Sequence, residues 1–458
     1  MIKRSLKAIK VMINGEGLEE KFESVMVEGV SIDSRTVKKG NLFIPIIRIK
    51  DGHNYVLEAM KNGAIAALWE KNRSNPPKDI PLIFVDNTLL ALQSLASSYR
   101  NQLSIKVIGI TGSNGKTTTK DMVNSIVSTS FNVHKTRGNL NSQIGLPLTI
   151  LEVSEDDEIV VLEMGMSERG QIEQLSKIAQ PDIAIITMIG LSHIATLGSR
   201  EEIAKAKLEI LAGLKENGLF IFYGDEPLLN EVKYTYNTSR IRFITFGVST
   251  DNDIYASSVF EESGEYKFFI NNRNASLYTV PLMGKHNVQN ALAAISVGKE
   301  LGIKEENIVS GLKNLTITEM RMQKLISKSG YTIINDAWNA SPNSVTAAIE
   351  AFQELRHYNK KIIVLGDMLE LGAKEEDYHK EIGQIIDPDR IDYLITYGPL
   401  SKHTANEAKK TFGKERVKHF TDKKEIVELI KDITMENDII LVKGSRGMAL
   451  EEIVNLLL

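Results

Sequence analysis

The sequence contains no cysteine. Disulfide bonds, cysteine-ligated zinc, iron–sulfur clusters and thiol catalysis are therefore excluded together, which fits a reducing compartment. No apolar run approaches the roughly 20 residues that a membrane-spanning helix requires. Basic residues also interrupt the stretch from Met1 to Asn14, so it lacks the continuous apolar segment of a secretory signal peptide. We expect a cytoplasmic protein.

Basic and acidic residues are nearly balanced in number. The chain has 55 Lys and Arg residues against 59 Asp and Glu residues, a formal net charge of -4. This balance argues against strong sequence-independent binding to nucleic acid, so an anionic substrate needs a local basic site. The 458 residues, of which 42% are hydrophobic and 25% charged, are typical of a soluble globular protein with about three domains.

Three segments differ in their hydrophobic patterns. Residues 1–100 mix short β-type runs, such as Asn41 to Ile47, with helix-like stretches, which predicts a small α/β domain. Residues 101–318 contain near-continuous apolar strands followed by amphipathic stretches, which predicts a doubly wound parallel sheet with an antiparallel addition. Residues 319–458 repeat the strand–helix pattern and predict a Rossmann-like domain without a dinucleotide fingerprint. The predicted fold class is therefore α/β, in three domains.

The strongest motif is GITGSNGKTT, which starts at Gly109, leaves a strand and enters a helix. Backbone N–H groups of such a loop wrap a phosphate, Lys116 neutralises β and γ oxygens, and the Thr117 hydroxyl ligates magnesium. Ile110 occupies the first glycine position of the strict pattern, but a glycine-rich turn without a ligand is disfavoured by Lys116 and the paired threonines. The residues that we assign to the nucleotide here are Thr111, Gly112, Ser113, Asn114, Gly115, Lys116, Thr117 and Thr118.

Three polar residues follow the strands of the second segment. Glu163 ends a buried strand, where it is either a paired core carboxylate or a magnesium ligand facing the ligand crevice. His193 lies in the glycine-rich loop after the next strand and is either a surface histidine or functional. Lys207 lies on a helix that opens with a capping sequence at Ser199 and runs to Leu211, where an ordinary lysine is solvated.

The loop around Lys116 closely resembles the ATP loop of the Mur ligases and their folylpolyglutamate synthetase relatives, and the resemblance extends over essentially the whole chain. It implies an ATP- and magnesium-dependent, amide-forming ligase. The magnesium-binding histidine of that family matches His193. The lysine that is carbamylated in that family matches Lys207, whose carbamate would help to hold the metal. The implied metal ligands are Thr117, Glu163, His193 and carbamylated Lys207.

Two further motifs extend the resemblance to the nucleotide. The run from Gly284 to Asn290 resembles the family's adenine-binding H-N-x-x-N motif, although simple helix capping by Asn287 is the alternative. Arg321 resembles the arginine that reaches ATP phosphates when the domains close, and Asp336 matches the acidic residue that meets the ribose. The base is therefore assigned to His286, Asn287 and Asn290, and the implied catalytic residues are Lys116, Glu163, His193, Lys207 and Arg321.

The third segment resembles one branch of the family. DAWNASP, from Asp336, is similar to the signature D-A-Y-N-A-N-P, with Trp338 for Tyr and Ser341 for Asn. GDMLELG from Gly366 and KGSR from Lys443 match further stretches, and the D-N-P-R motif of the branch that adds meso-diaminopimelate is absent. The resemblance implies a ligase that joins D-alanyl-D-alanine to UDP-N-acetylmuramoyl-tripeptide through an acyl phosphate, in peptidoglycan precursor synthesis.

The substrate contacts are predicted from the same resemblance. Asp33-Ser-Arg35 resembles part of a uridine-nucleotide domain, so Ser34 and Arg35 are candidates for the UDP-sugar. Asn139 and Asn141 match a family loop near the substrate, although a plain turn is the alternative. We also assign Asn339 to the substrate.

Two other functions stay open at this point. One is the ligase that adds the third residue to UDP-N-acetylmuramoyl-dipeptide, and the other is a catalytically silent nucleotide-binding regulator. A folylpolyglutamate synthetase would leave the first segment and the motif at Asp336 unexplained. We expect a monomer with no nucleic-acid or membrane partner. Neither the third residue of the tripeptide nor the degree of domain closure follows from the sequence.

Overall fold

The computed structural model describes residues 1–232, 240–262, 264–271 and 276–458. Three sheets of four, nine and six strands organise this part of the chain, together with one two-stranded ribbon. The predicted α/β class with three domains is confirmed. Within the described residues, every helix is too short or too polar to cross a bilayer.

The first sheet has four parallel strands in sequential order, β3-β4-β5-β6. The predicted β-type run from Asn41 to Ile47 pairs as a strand over Leu42–Phe43. The last helix of this unit begins where the side chain of Asn87 accepts a hydrogen bond from the backbone N–H of Leu90. The elements are β1 (Lys3–Ser5), α1 (Leu6–Met12), β2 (Met26–Glu28), β3 (Val30–Ser31), β4 (Leu42–Phe43), α2 (Val56–Lys61), β5 (Ala66–Glu70), β6 (Leu82–Val85) and α3 (Thr88–Arg100).

The central sheet has the strand order β15-β14-β13-β12-β11-β10-β7-β9-β8, and its pairs are parallel from β8 to β13 and antiparallel from β13 to β15. Its elements are β7 (Lys106–Thr111), α4 (Lys116–Val127), β8 (Val133–Lys135), α5 (Gly145–Glu152), β9 (Ile159–Glu163), α6 (Gln171–Ala179), β10 (Ile183–Ile186), α7 (Ile194–Leu197), α8 (Arg200–Leu208), β11 (Gly218–Tyr223), α9 (Pro227–Asn230), β12 (Ile241–Gly247), β13 (Ile254–Glu262), β14 (Glu265–Ile270), β15 (Tyr278–Val280), α10 (His286–Glu300) and α11 (Glu305–Lys313).

Alternate residues of the central strands enter two different cores. Val107 packs into the core on one face of the sheet, whereas Ile108 and Ile110 pack into the core on the other face. A strand that is covered on both faces needs apolar residues at every position, which explains its continuous apolar run. The doubly wound arrangement predicted for this segment is therefore present, together with its antiparallel addition.

Helix α8 begins as expected but ends earlier than predicted. The Oγ atom of Ser199 accepts a hydrogen bond of 3.2 Å from the backbone N–H of Glu202. The carboxylate of Glu202 pairs with Arg169 and Lys205, so it is held away from the reciprocal capping bond. The α-helix stops at Leu208, and the chain continues as a 3-10 turn over Glu209–Gly213. The prediction of one helix through Leu211 was wrong in its last turn.

The third sheet has the order β16-β17-β21-β18-β19-β20, in which only β16 is antiparallel. Ile334 and Ile363 point into the core on one face and Ile333 and Ile362 into the core on the other. The elements are β16 (Gln323–Ile326), β17 (Thr332–Asp336), α12 (Pro342–Glu354), β18 (Lys361–Gly366), α13 (Glu375–Ile385), β19 (Tyr393–Tyr397), α14 (Ser401–Ala408), β20 (Val417–Phe420), α15 (Lys423–Ile433), β21 (Ile439–Lys443) and α16 (Glu451–Leu457).

The carboxyl ends of the central and third sheets meet across a common cleft. The hydroxyl of Ser341, after β17, donates to Oδ1 of Asn114 over 3.3 Å. The backbone N–H of Leu191, after β10, donates to Oδ1 of Asn343 over 3.3 Å. Strand ends in parallel sheets are where ligands bind, because loops there are free to vary on a rigid frame. The two units are thus closed on each other around the residues that follow these strands.

Candidate active site

The glycine-rich loop runs from β7 into α4, and two of its glycines are required by geometry. Gly112 has φ +148 and Gly115 has φ +82, both outside the range that side chains favour. A Cβ atom at Gly115 would lie 2.4 Å from Oδ1 of Asn290, and one at Gly112 would lie 1.9 Å from Oγ1 of Thr187. The loop therefore packs directly against the start of α10 and the end of β10.

The loop also holds polar atoms that need a ligand. Oγ of Ser113 and Nδ2 of Asn114 are buried and have no hydrogen-bond partner among the described residues. A buried donor without a partner is costly, so such atoms mark a place where a bound group completes the network. Phosphate oxygens are acceptors of the required kind at a helix N-terminus. These side chains fit a nucleotide triphosphate.

Lys116 is folded back onto the loop that precedes it. Its Nζ atom donates to the carbonyl oxygens of Gly112 over 2.7 Å and Ser113 over 3.2 Å. Burial lowers the pKa of Lys116 to about 8, with Glu163 opposing the shift and Arg321 adding to it. Burial therefore makes the charged form of Lys116 less favourable than it is in water, and a bound anion would favour it.

Glu163 ends β9 with a buried carboxylate. It accepts hydrogen bonds from Oγ1 of Thr117 over 2.9 Å and from Nδ2 of Asn141 over 2.8 Å. Within the described ranges, no Lys, Arg or His forms an ion pair with it at 4.0 Å or less, so its partners are these two neutral donors. A buried carboxylate with two neutral donors keeps lone pairs for a cation.

His193 and Lys207 line the same cleft as Lys116 and Glu163. His193 has φ +64, and its Nδ1 atom lies 2.9 Å from Oε2 of Glu370; burial lowers the pKa of His193. Lys207 is 1% exposed, and in the part of the chain that the structure describes its side chain forms no hydrogen bond or ion pair. Burial, and then Lys116, holds the pKa of Lys207 well below its usual value. The reading of Lys207 as a solvated lysine was wrong.

A second cavity opens on the other side of the glycine-rich loop. It is lined by Asn114 and Gly115, by residues of α10 and by Asp336. In α10, Asn290 donates from Nδ2 to Oδ1 of Asn287 over 3.0 Å, and Oγ1 of Thr119 donates to Oδ1 of Asn290 over 3.3 Å. The predicted base-binding residues in this wall are His286, Asn287 and Asn290.

Asn287 does not cap α10. It is the second residue of the helix, and its Nδ2 atom donates to the carbonyl oxygen of Met283 over 2.7 Å. The N-cap position is taken by Lys285, whose side chain makes no capping bond. The simple capping reading of this motif was therefore wrong.

Arg321 stands between the two cavities and lines both. Its neighbours Met320 and Met322 have φ +59 and φ +50, a conformation that side chains with a Cβ rarely adopt. Its guanidinium lies 5.9 Å from the ring centre of Trp338, and the guanidinium of Arg446 lies 4.9 Å from the same ring. Arg321 is thus presented to the cleft by a strained segment and an aromatic ring.

Asp336 is held by the neighbouring strand end. Its Oδ2 atom lies 2.6 Å from Nζ of Lys443, and its Oδ1 atom accepts a hydrogen bond of 3.1 Å from the backbone N–H of Met322. Strands β17 and β21 pair so that Asp336 and Lys443 are in register. The acidic residue predicted to meet the ribose is therefore part of an ion pair at the edge of the second cavity.

The predicted substrate residues divide into two groups. Asn139, Asn141 and Asn339 line the same cleft as Lys116 and Glu163. Among the described residues, neither cavity includes Ser34 or Arg35.

Ser34 and Arg35 are engaged in local contacts of the first domain. The carbonyl oxygen of Ser34 accepts a hydrogen bond from Asn62 over 2.9 Å. Arg35 forms a two-pronged contact with Asp33, with Nε and Nη2 distances of 2.9 and 2.6 Å, and this contact lowers the pKa of Asp33 to about 2. The contact uses two of the five N–H donors of the guanidinium, so the remaining donors of the exposed Arg35 side chain can still bind a phosphate.

Sequence reasoning missed three residues of this site. Thr187 donates from Oγ1 to the carbonyl oxygen of Asn114 over 2.6 Å and so fixes the loop. Lys443 and Glu370 belong to motifs that were recognised without a role for either side chain. Their partners lie in other parts of the chain, so only the position of each motif at a strand end could have indicated them.

Metal ligands are sparse in this cleft. No cluster of three or more His, Cys, Asp and Glu residues at metal-binding spacing occurs within residues 1–232, 240–262, 264–271 and 276–458. Glu163 and Thr117 touch, and His193 and Lys207 line the same space. A complete magnesium shell from these side chains would need an oxygen-bearing group on Lys207, since magnesium prefers oxygen ligands.

Comparison with known proteins identifies relatives along the whole chain. Residues 110–298 match the Mur ligase middle domain, and residues 320–446 match the Mur ligase, glutamate ligase domain. A UDP-N-acetylmuramoyl-tripeptide–D-alanyl-D-alanine ligase from Bacillus subtilis is 48% identical over 99% of this chain and 98% of its own length.

Two solved structures are similar to this chain over most or all of its length. MurF from Acinetobacter baumannii has a TM-score of 0.87 at 28% identity and covers 100% of this chain and 99% of its own. MurF ligase from Thermotoga maritima, in complex with ADP, has a TM-score of 0.80 at 28% identity and covers 94% of this chain and 97% of its own.

Proposed function

This chain belongs to the Mur ligase family, and from that premise we propose that it joins D-alanyl-D-alanine to UDP-N-acetylmuramoyl-tripeptide with consumption of ATP. The observation that carries this function is the 48% identity to a ligase of that name over 99% of the chain. A match of this extent includes all three units, and therefore the third unit in which the branch motifs lie. The reaction yields the UDP-linked pentapeptide, a precursor of peptidoglycan.

The proposed reaction has two chemical steps. A carboxylate oxygen of the tripeptide attacks the γ-phosphorus of ATP, so that an acyl phosphate forms and ADP leaves. The amine of D-alanyl-D-alanine then attacks the acyl carbon, and the tetrahedral intermediate collapses to an amide, phosphate and a proton. The first step brings two anions together, and the second develops negative charge on the oxygen of the tetrahedral intermediate, so catalysis depends on positive charge placed before the reaction begins. Lys116 and Arg321, which line the same cleft, supply it.

We assign the nucleotide to the loop and to the second cavity. The backbone, Oγ of Ser113 and Nδ2 of Asn114, the last two without a partner among the described residues, hold the phosphates. His286, Asn287 and Asn290 bind the adenine, and Asp336 meets the ribose. This assignment is supported by the placement of all four beside Gly115 and by the ADP complex of the relative.

We place magnesium at Thr117, Glu163, His193 and carbamylated Lys207. A buried Glu163 without an ion-pair partner and its contact with Thr117 favour a cation at this point. When bound, the metal offsets the repulsion between the triphosphate and the substrate carboxylate. These residues would hold the metal at the end of β9, where Glu163 contacts Thr117.

Lys207 is suited to carbamylation. Its burial favours the neutral amine, which attacks carbon dioxide, forms an N–C bond and releases one proton. The product is an anion, so the modification replaces a buried, partnerless ammonium by a carboxylate-like oxygen ligand. The carbamate would thereby supply a second anionic ligand beside Glu163.

The remaining assignments follow the three units. Ser34 and Arg35 of the first unit bind the UDP-sugar, with the N–H donors of Arg35 that do not contact Asp33 directed to the phosphates. Asn139 and Asn141 meet the tripeptide, and Asn339 of the third unit meets the dipeptide. We place the reaction in the cytoplasm, because a chain without cysteine fits a reducing compartment.

Phosphate release with two substrate pairs tests the function. ATP and magnesium are offered with UDP-N-acetylmuramoyl-tripeptide and D-alanyl-D-alanine, or with the dipeptide precursor and a diamino acid. Turnover with the first pair alone is expected. Turnover with the second pair alone would make the chain the ligase that adds the third residue. No substrate-stimulated turnover with either pair would favour the silent nucleotide-binding regulator.

A further inference from the structure

His193 and Glu370 face each other across the cleft between the central and third units. Nδ1 of His193 lies 2.9 Å from Oε2 of Glu370. The backbones meet as well, because the N–H of Ala195 donates to the carbonyl oxygen of Glu370 over 3.3 Å. Both residues have φ +64, a conformation that is uncommon for a residue with a Cβ atom. The contact is thus formed by two loops that are each held in an unusual conformation.

The loop that carries Glu370 is fixed from within its own unit. The backbone N–H of Met368 donates to Nε2 of His379 over 3.0 Å, and the N–H of Leu369 donates to Oγ of Ser445 over 2.9 Å. His379 is 1% exposed, and its Nδ1 atom lies 2.7 Å from the carbonyl oxygen of Glu375. Glu370 therefore moves with the third unit as a rigid part and reaches His193 only when the units are closed.

We propose that Glu370 is a positioning residue for His193. Its carboxylate lies 2.9 Å from Nδ1 without the alignment of a hydrogen bond, and a rotation of the exposed Glu370 side chain would let it accept the Nδ1 proton. This bond would fix the tautomer and leave Nε2 as the nitrogen available to a metal. A histidine ligand whose other nitrogen is held by a carboxylate is oriented and more basic. The inference rests on the proposed function, in which His193 binds magnesium. It adds that the third unit completes the metal site of the central unit on closure.

The exposure of the Glu370 side chain allows a different role, which competes with this one. Its side chain is 64% exposed and lines the cleft that receives the incoming dipeptide. A carboxylate in this place could instead pair with the dipeptide's ammonium group. The two roles differ in what they affect, because a positioning role acts on metal affinity without the dipeptide, whereas ammonium binding acts on the KM of the dipeptide alone.

Binding of Mn²⁺ to the full-length protein tests the proposal. Titration is followed by electron paramagnetic resonance, with a non-hydrolysable ATP analogue present and no dipeptide. Glu370→Ala is expected to weaken Mn²⁺ binding about tenfold or more, as loss of such a supporting carboxylate does at other sites. Glu370→Gln keeps an oxygen that accepts the Nδ1 proton and should retain most of the affinity.

A matched control exists in the same unit. The carboxylate of Glu376 lies 3.8 Å from Nε2 of His403, and its side chain is 59% exposed. Glu376→Ala removes an exposed glutamate beside a histidine without touching the residues that line the cleft. It should leave Mn²⁺ affinity unchanged.

Each outcome has one meaning. If His193→Ala leaves Mn²⁺ affinity unchanged, the metal assignment of the proposed function fails. If His193→Ala weakens binding but Glu370→Ala does not, the positioning role is wrong, and a higher KM for D-alanyl-D-alanine would then assign Glu370 to the ammonium group. If Glu370→Ala weakens nucleotide binding equally in EDTA, Glu370 stabilises closure in general, and the specific role is also overturned.

Discussion

The hydroxyl of Thr117 donates a hydrogen bond of 2.9 Å to Oε2 of Glu163. The contact exists because β7 and β9 pair in parallel, with Ile110 opposite Glu163, so that the loop after β7 starts α4 beside the end of β9. A hydroxyl from the phosphate-binding loop and a buried carboxylate thereby share one corner of the cleft. This corner is where we place the cation that accompanies ATP.

The pH dependence of ATP binding should depend on Lys116. Its lowered pKa of about 8 means that the free enzyme loses the ammonium charge as pH rises through that value. ATP favours the charged form, so binding should weaken above pH 8 and take up a proton there. Calorimetry in buffers of different ionisation enthalpy measures this uptake.

Two substitutions provide the comparison for this prediction. Lys116→Arg should remove the pH dependence, because an arginine stays charged throughout. Lys116→Ala should abolish tripeptide-dependent phosphate release with an unchanged circular dichroism spectrum. Proton uptake that persists in Lys116→Arg would assign the titration to another group.

Activity should depend on carbon dioxide through Lys207. In degassed buffer at low carbon dioxide, the wild-type rate is expected to fall and to return when bicarbonate is added, because the buried neutral amine regains its carbamate. Lys207→Ala should be inactive under both conditions. Lys205→Ala is the matched control, since Lys205 lies on the same helix but is exposed and paired with Glu202. A wild-type rate that ignores bicarbonate would remove the carbamate from the mechanism.

A pair of glycine substitutions separates backbone strain from loss of the site. Gly115→Ala and Gly170→Ala both place a Cβ at φ +82, which costs about 1 kcal/mol in each case. Only Gly115→Ala also drives the new Cβ to within 2.4 Å of Asn290, whereas nothing lies within 4 Å at Gly170. We expect a small loss of Tm in Gly170→Ala, and in Gly115→Ala a larger loss of Tm together with a loss of ATP affinity. Equal ATP affinity in both variants would contradict the packing of the loop on α10.

Trp338 should influence catalysis through the two arginines that flank it. Trp338→Leu removes ring contacts to Arg321 at 5.9 Å and Arg446 at 4.9 Å, each worth about 0.5–1 kcal/mol at a partly exposed site. We expect kcat to fall roughly fivefold, since about 1 kcal/mol of arginine positioning is lost. Trp338→Tyr keeps an aromatic face and should stay within about twofold of wild type. A Leu variant with the kcat of the Tyr variant would show that the ring does not position Arg321.

Much of the fold was accessible from local pattern. Continuous apolar runs predicted the strands that are buried on both faces, such as Lys106–Thr111 and Gly218–Tyr223, because such strands leave no polar face. The end of α8 was missed because the switch to a 3-10 turn over Glu209–Gly213 depends on packing against α6. The glycine-rich loop was recognisable because its function requires a fixed order of residues along the chain.

The partners of the charged groups were not accessible in the same way. The sequence alone does not show that Arg35 contacts Asp33 or that Asp336 pairs with Lys443. It also does not show that the Lys207 side chain is buried without a partner among the described residues. Whether a lysine is solvated or buried depends on what packs over its helix. The expectation that Lys207 is solvated, as most lysines are, was wrong for that reason.

By itself, the sequence determined three α/β units, a glycine-rich loop between a strand and a helix, and the family to which the chain belongs, because these depend on hydrophobic period and on residues close together in the chain. The tertiary structure alone decided that Glu370 meets His193 and that Ser341 meets Asn114. These pairs join loops of different sheets. Their distances depend on how two units close on each other, which no local pattern encodes.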